Sequence, residues 1–163
     1  MSLFENDEYQ WRETYFVLLK ENDRPAAGNV TKALQRLDPR YRVVDVREDE
    51  HGRCESLTLL APDDYAAMDI SYVAGEEVVE QMPGLAAEMN SVAMDNQQKK
   101  VIAQVPECNA RFDVFHFEQL TFIGGDEEDE EFMDPGTLLI VLEKIAELCN
   151  GIVVDPQSGS LLN

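Results

Sequence analysis

An α+β fold, a mostly antiparallel sheet with packed helices, is what the order of apolar patterns in this chain predicts, on three observations. Asp134 to Gly151 carries both the start and the stop signal of a helix. Ala110 to Ile123 holds the strongest β-type run, with Phe112, Val114 and His116 on one face and Phe115 and Phe117 on the other. The first third reads strand, helix, strand, strand.

Taken in order, Ser2 to Gln10 is mostly polar or acidic, and a loose lead-in is expected, with Phe4 and Tyr9 the residues able to dock. Arg12 to Lys20 contains Tyr15-Phe16-Val17-Leu18-Leu19, apolar at both parities, as in a central strand covered on both faces. Pro25 opens a helix to about Leu37, with Val30, Ala33, Leu34 and Leu37 at helical spacing and Asp38-Pro39 ending it. Tyr41 to Arg47 and Cys54 to Ala61 are strands joined through a polar loop holding Gly52. With the first strand inserted between the later ones, this unit is the opening of a ferredoxin-like sandwich.

After Pro62-Asp63-Asp64, Ala67 to Val73 alternates Met68, Ile70 and Tyr72 with Asp69 and Ser71, the pattern of a half-exposed strand. Glu76 to Asn90 is helical in spacing, although Pro83-Gly84 should kink or split it. Asp95 to Val105 is a weaker helix closed by Pro106. The Asp134 helix has Asp134 to cap its first turn, Pro135 where a missing N–H costs nothing, and Gly151 for a left-handed exit. Its apolar residues Leu138, Leu139, Val141, Leu142, Ile145, Ala146, Leu148 and Cys149 cover more than half its circumference, so it should be a core helix. It is the expected cover for the two-sided Phe112 strand, and a homodimer is the other candidate cover. Ile152 to Val154, a Pro156 turn and Ser160 to Leu162 complete the chain as a short hairpin.

Length and charge bound the function. At 163 residues with 44% apolar content the chain suits one domain, residues 1–163. Its net charge of −20, from 33 acidic against 13 basic residues, opposes nucleic-acid binding and docking on anionic lipid. It fits repulsion-based solubility, a basic protein partner or a salt-rich habitat. Cys54, Cys108 and Cys149 form no C-x-x-C pair, which suggests neither a disulfide framework nor a zinc knuckle. No apolar run approaches the ~20 residues of a membrane span. The start of the chain lacks a signal-peptide pattern, so a cytoplasmic location is expected.

Two places concentrate chemistry. Asp126, Glu127, Glu128, Asp129, Glu130 and Glu131 are an unbroken acidic run, expected as a solvated surface loop that docks a partner electrostatically. The run fails the EF-hand spacing: Glu131 stands where glycine is needed and Thr137 where the bidentate acid belongs. No metal and no cofactor are expected. His116, beside Cys108, Asp113 and Glu118 in sequence, is the imidazole placed in the sheet, where a satisfied sheet or interface histidine is the commoner outcome than a catalytic one. His51 lies in the charged loop.

Gly124-Gly125-Asp126-Glu127 resembles the Gly-Gly-Asp-Glu-Phe signature of diguanylate cyclases, whose catalytic domain is a palm-like α+β fold. In that family the resemblance implies a hairpin tip at which an acid helps bind metal and the glycines admit a nucleotide. Only four residues match; Glu128 replaces the aromatic, more acids follow, and no Asn-x-x-Asp contact precedes it. The function expected is therefore a non-catalytic interaction or regulatory module. The alternative is a small-ligand, metal or nucleotide-binding enzyme with a carboxylate site at Asp126 or a His116 site at a sheet end.

Overall fold

The computed structural model describes residues 3–120 and 135–162. Its strands are β1 (Tyr9–Leu19), β2 (Arg42–Glu48), β3 (Cys54–Ala61), β4 (Ala66–Ala74), β5 (Ala110–Gln119), β6 (Ile152–Asp155) and β7 (Ser160–Leu161). Its helices are α1 (Ala27–Leu37), α2 (Glu76–Val92), α3 (Asn96–Ile102) and α4 (Pro135–Cys149). The strands form one seven-stranded sheet in the order β2-β3-β4-β5-β1-β6-β7, antiparallel at each pairing.

The class is thus α+β, but the strand order does not reproduce a ferredoxin-like opening. β2, β3 and β4 pair in chain order, and β1 lies between β5 and β6. Short turns explain the first half of this: Asp49 gathers the β2–β3 loop by accepting the N–H groups of His51 and Arg53, and the 3-10 turn Pro62–Asp64 joins β3 to β4. Hairpin partners therefore meet each other first. β1 and β5, both apolar on two faces, are left to share the doubly covered middle of the sheet.

Helices cover both faces. Val17 and Leu19 of β1, Leu57 and Leu59 of β3, Met68 and Ile70 of β4, and Phe112 and Val114 of β5 pack in one core with α1 and α4. Leu18 of β1 and Ile152 and Val154 of β6 point the other way and pack with Val78, Met82 and Met89 of α2 and Ile102 of α3. The second layer over the Phe112 face thus comes from this chain's own helices. Leu3 plugs a third, small cluster with Ala67 and Phe117, its N–H donating to Asp69 Oδ2 at 3.0 Å, so the lead-in is anchored rather than loose.

Three local expectations need correction. α2 runs unbroken through Pro83 instead of splitting. The carbonyl deprived of its partner belongs to Val79, an exposed residue, where water can take over the bond. In α4, Leu139 and Ile140 are exposed, so its buried stripe is narrower than its composition suggests. The left-handed residue that ends α4 is Asn150 (φ 52°), not Gly151. Gly151 instead donates its N–H to the Ala146 carbonyl at 2.8 Å, the reach-back bond of a Schellman end. The Asp134 cap lies outside the described residues.

Candidate functional site

β5 carries His116 into the middle of the sheet. Register places it opposite Glu13 on β1 and Met68 on β4, and residues directly opposite share a face. The pairing of β1 with β5 slips between Trp11 and Glu13, leaving Arg12 as the extra residue of a bulge. Arg12 pairs with Glu118, which lies two residues beyond His116 and so on the same face. Four polar side chains therefore converge here: His116 and its sequence neighbour Glu118 on β5, with Glu13 and Arg12 from β1.

The imidazole is fully buried, and neither ring nitrogen has a hydrogen-bond partner. Its Nδ1 lies 3.6 Å from Glu13 Oε1, too far for a hydrogen bond but close enough to feel the carboxylate's charge. Burial holds His116 below the usual histidine value, against the pull of Glu13 and Glu118 toward the charged form and with the help of Arg12. The ring is therefore neutral at pH 7.

The other sequence neighbours of His116 lie elsewhere. Asp113 faces the opposite side of the sheet, opposite Phe16, where it accepts from Arg111 Nε at 2.7 Å. Burial raises its carboxyl above the ordinary range, with Arg111 opposing the shift. Cys108 is buried under α2, and burial raises its thiol to about 11. Cys54 is likewise raised to about 11 and Cys149 to about 12, so the three free thiols are poor nucleophiles. His51 is exposed beside Glu50 in the β2–β3 loop. Asp64 accepts from Thr137 Oγ1 at 2.7 Å, tying the β3–β4 turn to the start of α4, while Asp63 pairs with Arg40. Met82 and Met89 are core residues; Met94 is exposed.

The acidic run Asp126 to Glu131, and with it the diguanylate cyclase-like motif, lies outside the described residues. A second acidic place that sequence reading missed is a concavity of about 540 Å³ at the start of α2, lined by Glu21, Gly75, Glu76, Val79, Glu80 and Asn109. Glu21 stays there because its N–H donates to Asn109 Oδ1 at 2.7 Å. No signal in one sequence joins Glu21 to Glu76, since the chain between them makes three strands and a helix. Another concavity, about 450 Å³, separates α1 from α4 and is lined by Ala33, Arg36, Leu37, Lys144, Glu147 and Leu148.

Among the described residues, no group of three or more His, Cys, Asp or Glu is placed to hold a metal ion. Nor is any helix among them long and apolar enough to cross a membrane. Fold and site together define an acidic α+β protein with a helix-covered antiparallel sheet. No protein-family model, curated protein or solved structure matches the chain.

Proposed function

We propose that this chain is a non-catalytic interaction module of one domain, acting in the cytoplasm, that docks a basic segment of another protein. The observation that carries the reading is the distribution of its charge. The chain holds a net −20, six of its acids are consecutive from Asp126 to Glu131, and the concavity beside α2 brings Glu21, Glu76 and Glu80 around exposed Val79. Glu76 and Glu77 also sit in the first turn of α2, where negative charge suits the helix dipole, so part of this clustering serves the helix itself. Such a surface speeds encounter with a basic partner and weakens with salt.

The test is capture from source-cell lysate at low and moderate salt with three proteins: the intact chain, a variant with Asp126 to Glu131 changed to Asn and Gln, and a Glu76→Gln/Glu80→Gln variant. Loss of one basic partner from the first variant assigns the run as the docking segment. Loss from the second assigns the α2 concavity. If the three capture the same proteins, charge docking is wrong. The rival reading, an enzyme or small-ligand binder at His116, draws its support from two imidazole nitrogens without partners. A rise in melting temperature with a divalent cation or a nucleotide, lost in His116→Leu, would favour it.

A further inference from the structure

We propose that His116, Glu13, Arg12 and Glu118 form a proton-operated exchange of partners at the β1 bulge: on taking up a proton, His116 draws in both carboxylates and Arg12 is released to solvent. The device is independent of the docking reading.

The neutral ring is tolerated in this place because it carries no charge, although its nitrogens are unpartnered. The imidazolium has two donors and a full charge, and a wholly buried site cannot leave those unmet. Two acceptors are at hand. Glu13 on the facing strand is already 3.6 Å from Nδ1, and closing to hydrogen-bond distance takes less than ~1 Å. Glu118 is two residues along the same strand, about 7 Å from Cα to Cα by strand rise, within reach of a glutamate side chain. Arg12 now holds it.

Arg12 is the group that gives way. Its side chain is 37% exposed against 10% for Glu118, so water takes the guanidinium at small cost while the carboxylate stays inside. Its positive charge also repels an imidazolium. The titratable and charged groups on this face of the described elements are Glu13, Arg12 and Tyr15 on β1 and Glu118 on β5; the Tyr15 hydroxyl bonds Glu13, whose carboxylate can accept from Tyr15 and from the imidazolium together, and β4 presents Met68. α4, packed on the same face, turns Leu138 and Val141 to the core and carries its titratable side chains from Glu143 onward. Burial sets the working range below the ordinary histidine value of about 6.5.

The exchange has a built-in reporter. Arg12 is the extra residue of the bulge, so its release changes the backbone beside Trp11, the single tryptophan, which is half exposed. The experiment follows Trp11 fluorescence and the His116 ring by NMR on the full chain from pH 7.5 to 4.5. The two signals should change together, with one midpoint below the ordinary histidine value of about 6.5. Glu13→Gln should lower that midpoint by about one pH unit and Arg12→Gln should raise it by a similar amount. His116→Leu should abolish the fluorescence change. The proposal is overturned if Trp11 still responds in His116→Leu, if His116 titrates with no Trp11 change, or if neither Glu13→Gln nor Arg12→Gln moves the midpoint. Should His116→Leu fail to fold, the other two variants, both at partly exposed positions, decide.

Discussion

Gly151 and Asn150 share out two duties that one glycine is usually asked to perform. Asn150 supplies the left-handed turn, which its short polar side chain tolerates. Gly151 supplies absence of bulk: a Cβ there would stand 2.6 Å from Val17 Cγ1 and 3.0 Å from the Leu18 carbonyl oxygen. Both atoms belong to β1 in the middle of the sheet, so neither can retreat without disturbing the core. Gly151→Ala should therefore destabilise the protein by about 1–3 kcal/mol, the usual cost of overpacking, read as a lower urea midpoint at unchanged slope. An unchanged midpoint would show that α4 can shift away from β1. The same crowding logic governs the thiols, whose burial keeps them protonated and inert.

At the scale of elements, short helices depend on their ends and long ones on their faces. α3 has seven residues and one fully buried apolar side chain, Ile102, so packing alone holds it weakly. Its N-terminus compensates: Asp95 Oδ1 accepts from the Gln98 N–H at 2.8 Å, and Gln98 Oε1 accepts from the Met94 N–H at 2.8 Å. This reciprocal pair works as a capping box does. Asp95→Ala should cost about 1 kcal/mol, and hydrogen exchange should rise first in residues 96–102. Uniform loss of protection would mean that α3 has no separate stability. α1, by contrast, begins at Ala26 with no side-chain cap and relies on Val30 and Leu34 beneath it.

On the scale of the whole molecule, the two main cores lie on opposite faces of one sheet and share its strands. β1 sends Val17 and Leu19 to one and Leu18 to the other, so neither core survives loss of that strand. Unfolding in urea should be a single transition, with Trp11 fluorescence and far-ultraviolet circular dichroism coincident. Two separated transitions would show that the α2 side melts apart from the α1 and α4 side. The charge of −20 acts on this scale too, since self-repulsion works against the compact state until salt screens it.

Local periodicity by itself determined the α+β class, the bounds of β3 and most of each other strand and helix, the two-faced character of β1 and β5, and the pairing of Phe112, Val114 and His116 on one face. These follow from patterns of two and 3.6 residues that any short window contains. The chain's acidity was legible from its composition. Tertiary structure alone decided the strand order, because hairpin closure and the shared middle of the sheet are contacts between distant windows. It also decided what surrounds His116. Glu13 and Arg12 reach it from a strand about a hundred residues earlier, through a bulge that no local pattern announces. Proximity in space, set by register across β1 and β5, turned an isolated histidine into a cluster that can exchange a proton.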